Sequence, residues 1–397
     1  MKILFVTQNF WPENFIINDL VVELSKMGYT ISVLTGYPNY PSGKIFREYQ
    51  GKIITKEKFG DVEVLRVPMF ANHSKSKLKR VLSYLSYMLS MSFFGLIYFT
   101  KDFDLIFTYQ PGSILVGVTS YLINIRIKAK SVFWIQDLWP EAILAMKIIK
   151  PGKLEKLIKL VSNWIYGNND LLLVQSEGLL SYLNKNRNIP DIKMKFIPNW
   201  SMDFSKVGFL EKVKFKLLYI GNIGHFQNIE TLVEVAKELK DKTEIEFTII
   251  GDGQNYSSVQ ELILEYHCDN VQLIQKSEYK NLESYLSEAD VLYLQLISDP
   301  ILSLTIPGKL QAYLCYGKPI LGAVMGEAAR IIQEADCGLI AKPLDIESQK
   351  EAILKMKKNN YQERYRLGNN GYKYYKKNFD RTKSIQRVNY ILKELLA

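Results

Sequence analysis

The stretch FKLLYIGNIGHFQNIETLVEVAKEL, residues 215–239, decides the fold. Phe215 to Gly221 read as a strand buried on both faces, because apolar residues run on rather than alternate. A short loop follows, Gly221-Asn222-Ile223-Gly224. A helix is expected from about Asn228 as N-cap, with Leu232, Val235, Ala236 and Leu239 at helical spacing. Strand, glycine turn and helix together form the unit of a doubly wound parallel sheet. Glycines let backbone N–H groups approach an anion and a helix N-terminus adds a favourable dipole, so a diphosphate fits this loop. The loop is neither Gly-x-Gly-x-x-Gly nor a Gly-Lys-Ser/Thr phosphate loop, so a glycine turn needed only for packing is the competing reading.

Working outward, the same unit recurs. Strands are expected at 2–6, 30–36, 62–67, 104–109, 131–137 and 170–176, then at 215–221, 246–253, 271–274, 290–296, 319–324 and 337–342. Between the first two, Ile16, Ile17, Leu20, Leu24 and Met27 fall at helical spacing and Gly28 stops the helix. Strand–helix alternation lapses only near 197–209. The fold class is therefore α/β, with two Rossmann-like parallel-sheet domains, 1–200 and 201–379, expected to face each other across a cleft. Open sheets of this kind bind ligands beyond the carboxyl ends of their strands, and function is sought there.

Composition narrows the function. The chain has 397 residues, 47% hydrophobic and 23% charged, which excludes fibrous and bulk-disordered classes. Three scattered cysteines and three histidines without paired spacing argue against a disulfide framework and a zinc site. The N-terminus runs straight into a strand without an apolar leader, pointing to a cytoplasmic protein. The net charge of +10 sits in two patches. Residues 355–393 hold 12 Lys/Arg against 2 Asp/Glu, with Tyr interleaved, and read as a solvated helix face. Lys75, Lys77, Lys79, Arg80 and Lys101 bracket a stretch, 81–99, that carries no charge. That stretch reads either as a core helix or as one lying on an anionic membrane surface, a true span being the least favoured reading. No nucleic-acid module accompanies the charge, and no nucleic-acid partner is expected.

Several side chains stand where chemistry is expected. Pro307 suits a helix start, and Gly308 and Lys309 add free N–H groups and an ammonium for a phosphate. Two helix starts in one domain, both after strand ends, could clamp one diphosphate. Asp137 follows a strand, flanked by Trp134 and Trp139, and can orient or deprotonate an acceptor hydroxyl; an N-cap for the next helix is the bland alternative. Glu13 lies in the loop after the first strand. Glu327, also past a strand end, could hydrogen-bond substrate hydroxyls or start its helix, with Arg330 as an (i, i+3) partner.

As a set and in order, FWPEN (10–14), IQDLWPEAI (135–143), GNIGHFQNIETL (221–232), IIGDG (249–253), IPGKLQAYLCYGKPIL (306–321) and GEAARIIQEADCGL (326–339) resemble the retaining family 4 glycosyltransferases of GT-B fold. The WbuB-like group of O-antigen and capsule synthesis is the nearest in pattern. The resemblance implies a final helix, about 380–397, that packs back onto the N-terminal domain. It implies a UDP-sugar donor held by the C-terminal domain, with no metal and no further cofactor. The diphosphate would meet the loop of Gly221, Asn222 and Gly224 together with Gly308 and Lys309, the base would meet the 275–277 loop holding Lys276, and Gly251 and Pro307 would also bind the donor. Glu327 would lie near the donor sugar. Asp137 and Glu13 would face the reaction centre, and Trp139, Lys77, Lys79 and Arg80 the acceptor and membrane. The usual pair of glutamates would fall at Leu304 and Ala312, so Gln311 or a neighbour replaces the ribose ligand. His225 and Gln227 stand where basic residues often follow the loop.

The expected function is transfer of an N-acetylated or deoxy-amino hexose from UDP to a polyprenyl-diphosphate-linked acceptor at the cytoplasmic membrane face. A UDP-sugar 2-epimerase of the same architecture and a non-enzymatic surface-binding protein are the rivals.

Overall fold

The computed structural model describes residues 1–72, 76–100, 102–201, 206–208, 213–275 and 282–397, with the Lys77 side chain left aside. Lys75, Lys101 and Lys276 lie outside the described residues. The chain divides into two compact units, 1–197 with 385–397, and 198–384.

Unit 1 runs β1 (Lys2–Thr7), α1 (Ile16–Lys26), β2 (Thr30–Gly36), β3 (Thr55–Phe59), β4 (Val62–Val67), α2 (Lys77–Tyr98) and β5 (Leu105–Gln110). It continues through α3 (Val116–Ile127), β6 (Lys130–Ile135), α4 (Glu141–Ala145), α5 (Lys153–Gly167), β7 (Leu171–Val174), α6 (Glu177–Arg187) and β8 (Met194–Phe196). Its sheet has the order β3-β4-β2-β1-β5-β6-β7-β8. Every pair is parallel except β3 with β4. The central strands are buried along nearly their whole length, as continuous apolar runs demand. Two strands escape that rule. β3, TKEKF, alternates because it is an antiparallel edge, and β8 has only three residues.

Unit 2 runs β9 (Phe215–Ile220), α7 (Glu230–Glu238), β10 (Ile245–Gly251), α8 (Tyr256–Glu265), β11 (Val271–Gln275), α9 (Leu282–Glu288) and β12 (Val291–Gln295). Then come α10 (Gly308–Tyr316), β13 (Ile320–Ala323), α11 (Gly326–Glu334), β14 (Gly338–Ala341), α12 (Ile346–Lys358) and α13 (Tyr361–Asn378). Its sheet is wholly parallel, in the order β11-β10-β9-β12-β13-β14. The last helix, α14 (Arg381–Leu396), supplies residues 385–397 to unit 1. There Asn389 accepts from the Tyr29 hydroxyl, and Arg387 lies over the Phe196 ring.

Each sheet has one topological switch point, where strand order turns outward in both directions. In unit 1 it lies between β1 and β5, and in unit 2 between β9 and β12. Asn228 does not cap a helix: it adopts φ +41°, and α7 begins two residues later with Ile229 at the N-cap.

Candidate active site

In unit 2 the two expected motifs hang from the two strands that flank the switch point. The Gly221–Gly224 loop leaves β9, and α10 follows β12 after a connecting segment. They meet through two side chains of α10. Lys309, in the first turn of α10, reaches back so that its Nζ contacts the Tyr219 hydroxyl, stands 4.0 Å from the centre of the Tyr219 ring and lies 3.5 Å from the Asn222 carbonyl oxygen. Four residues on, Tyr313 presents its hydroxyl to the same strand end, donating to the Ile220 carbonyl at 3.2 Å and accepting from the Ile220 N–H at 3.0 Å. Positions i and i+4 share a helix face, so one face of α10 fastens the base of the glycine loop. No side chain caps α10, whose N-cap is Pro307.

The loop is fixed by its neighbours as well. Asn222 donates its amide to Gln227 Oε1 at 2.9 Å, and Ile223 N–H donates to the Asp252 carbonyl at 2.8 Å. Gly251 is obligatory by space alone: a Cβ there would stand 1.9 Å from the Gly221 carbonyl oxygen, which is backbone and cannot yield. Gly251→Ala is expected to destabilise unit 2 by more than about 2 kcal/mol, seen as a lower urea midpoint. An unchanged midpoint would contradict this packing.

Burial pushes the Lys309 ammonium down to about 7 from its usual value near 10.5. Among the described residues no carboxylate offsets that desolvation, so a bound anion would favour the charged form. Gln311, one turn into α10, is buried, and its Nε2 has no hydrogen-bond partner among the described residues. Glu327, in the first turn of α11, is buried and committed to Arg330, with contacts of 2.9 and 3.3 Å. Beside it, strand ends β13 and β14 border a cavity of about 720 Å³ lined by Ser298, Met325, Gly326 and Lys342.

In unit 1 Asp137 stands two residues beyond β6. Pro140, not Asp137, occupies the N-cap of α4. The segment carrying it is clamped on both sides. Gln110, at the end of β5, donates to the Asp137 and Gly112 carbonyls at 2.9 and 2.8 Å. Arg187 of α6 donates to the Trp139 carbonyl at 2.9 Å and to Glu141 at 2.7 and 2.8 Å. The carboxyl of Asp137 has Tyr84, Tyr109 and Tyr166 near enough to feel its charge. Burial raises its pKa to about 7. That value suits a group exchanging a proton near neutrality.

Two expectations change. Trp134 is fully buried in the core, and Trp139 is buried with its ring edge-on to Tyr84 at 5.6 Å, so neither is presented for stacking on a sugar or a membrane. Glu13 is also buried and fully engaged: it accepts from Asn9 Nδ2 at 3.0 Å to each oxygen, from Phe10 N–H at 3.2 Å, and from Asn39 and Tyr40 N–H at 2.8 and 2.7 Å. It pins the loop after β1 to the loop after β2 and acts by position. Lys79 and Arg80 lie in the first turn of α2, behind the Ser76 cap. In the second basic patch Arg364, Arg366 and Lys376 form ion pairs with Asp290, Asp336 and Asp380. Gln110, Tyr219 and Tyr313 escaped the sequence reading; the spacing of Tyr313 from Lys309 was the one available signal.

Residues 203–374 match the family of glycosyl transferases group 1. WcaI of Escherichia coli (strain K12), a glycosyl transferase named for colanic acid biosynthesis, is 27% identical over 346 residues, 80% of this chain and 82% of its own. Among solved structures, sucrose-phosphate synthase from Thermosynechococcus elongatus superposes with a TM-score of 0.74 at 16% identity, over 99% of this chain and 98% of its own. Anabaena Alr3699/HepE in complex with UDP and glucose does so with a TM-score of 0.66 at 12% identity, over 99% of each chain. With two parallel α/β units and structural neighbours along its length the chain has the GT-B fold, and its second unit carries a glycosyl transferases group 1 domain like that of its relatives.

Proposed function

We propose that the protein transfers a sugar, an N-acetylated or deoxy-amino hexose, from a UDP-sugar to a polyprenyl-diphosphate-linked acceptor with retention of anomeric configuration. The setting is bacterial surface polysaccharide synthesis at the cytoplasmic face of the membrane. Lys309 carries the donor reading: a half-buried ammonium with no carboxylate partner among the described residues, held against the glycine loop at a switch point, suits a diphosphate. The Anabaena structure, described with UDP and glucose, supports uridine as the donor's nucleoside, and the relative named for colanic acid biosynthesis supports a polysaccharide product.

The residues would act by positioning and electrostatics. Lys309 and the N–H groups of Gly308 and the Gly221–Gly224 loop would hold charge on departing UDP. Asp137 would orient the acceptor hydroxyl and take up its proton as the hydroxyl attacks from the donor's own face. A thermal-shift series with UDP, GDP, ADP and their sugar conjugates tests the donor class. UDP compounds are expected to raise the melting temperature, since a ligand bound only by the native state stabilises it. A rise with GDP or ADP alone would move the donor assignment.

A further inference from the structure

The outer surface of unit 1 carries a feature that the reaction leaves unused. Helix α2 is built inside out. Ser83, Tyr87, Met91 and Ser92 are buried. Leu78, Leu82, Leu85, Leu89, Phe93 and Ile97 are exposed, Leu89 to 62%. Their spacing of three and four makes one stripe along the helix. Helix α5 repeats the arrangement: Ser162, Ile165 and Tyr166 are buried, while Leu154, Leu157, Leu160 and Trp164 are exposed, Leu160 to 66%.

Helix α3 joins them. Ser92 of α2 and Thr119 of α3 share a hydrogen bond of 3.2 Å, and the Tyr121 ring of α3 meets the Trp164 ring of α5 at 4.4 Å. Leu122 and Ile125 of α3 are exposed too. One helical layer thus turns three apolar faces outward. A monomer in water gains nothing from such a face, which marks a binding surface.

Charge says what covers it. The sequences of α2, α3 and α5 hold seven Lys or Arg and a single acid, Glu155, whose carboxylate accepts from the Gly152 N–H at 3.1 Å. Lys153 and Lys156 lie among the exposed leucines of α5, and Lys79 and Arg80 at the start of the α2 stripe. We infer that the α2–α3–α5 face docks on an anionic lipid bilayer, its leucines at the acyl boundary and its cations among the headgroups. A second copy fits less well, because an isologous contact would set these cations against themselves. α2 is long and apolar enough to cross a membrane, but Tyr87 and Met91 pack one of its faces into the unit 1 core, which favours lying on the surface. The inference deepens the membrane-facing part of the proposed function.

Co-sedimentation of the full chain with vesicles tests it, with melting temperature, UDP response and light scattering measured in parallel. The wild type should bind phosphatidylglycerol/phosphatidylcholine vesicles, and pure phosphatidylcholine at least about ten-fold more weakly. L157E/L160E and L85E/L89E should each weaken binding to the mixed vesicles at least about ten-fold, with the melting temperature and UDP response unchanged. Equal binding by both variants, no binding by the wild type, or a dimer that L157E/L160E dissociates would each overturn the docking face. Vesicle binding without a UDP response would refute the donor site and leave this face standing; the converse would refute the face alone.

Discussion

Asp137→Asn is expected to lower kcat by about 10³-fold, within the range that a lost proton acceptor costs, while UDP binds as tightly as to the wild type. The reasoning starts from the carboxyl's surroundings. Burial among tyrosines raises its pKa to about 7, so the active anion is only half populated near neutrality. The wild-type rate should therefore climb about ten-fold per pH unit below 7 and level off above it. The variant should lose that limb along with its activity. Stability moves the other way. An acid whose pKa is higher folded than unfolded binds more protons in the native state, so its cost to the fold grows as pH rises from about 4 to about 7. Asn removes that cost, and the variant should melt no lower than the wild type at pH 8. A variant that keeps its rate, or that loses UDP affinity, would show that Asp137 acts elsewhere.

Lys309→Met should weaken UDP about 30-fold, the loss of one charge-assisted contact of about 2 kcal/mol. Here too burial sets the sign. The empty site holds the lysine near pKa 7, and a bound diphosphate restores the ammonium, so binding takes up a proton. UDP affinity in the wild type should fall as pH rises from 6 to 9, and in the variant it should be flat. A lysine whose pKa is depressed by folding makes the native state bind fewer protons, so stability increases with pH from about 7 to about 10.5. Met removes the cost present below that window. At pH 7 the variant should be at least as stable as the wild type while responding weakly to UDP. Isothermal calorimetry in two buffers of different ionisation enthalpy reads both affinity and proton uptake.

The sequence disclosed the sheets because parallel strands covered on both faces write themselves as unbroken apolar runs. All twelve expected runs are strands. It hid β3, whose polar alternation TKEKF belongs to an antiparallel edge, and β8, too short to make a pattern. It singled out the glycine loop and Lys309 because glycine and proline punctuate strand ends and helix starts and a lysine there adds a positive charge. It misread Trp139, since an aromatic beyond a strand end can turn to the core or away from it, and spacing does not say which. It placed Glu13 facing the reaction centre by resemblance and could not show its engagement, because the donors come from Asn39 and Tyr40, 26 and 27 positions away. It left α2 undecided between core and surface because composition is the same in both. Only the direction of its serines, buried at Ser83 and Ser92, separates them.

The central claim is that the glycine loop after β9 and the start of α10 together hold one diphosphate. A crystal structure with UDP tests it most directly. The account predicts pyrophosphate oxygens within about 3 Å of Lys309 Nζ and of backbone N–H groups at Gly308 and in the loop. A diphosphate seated elsewhere, with Lys309 still turned onto Tyr219, would contradict it.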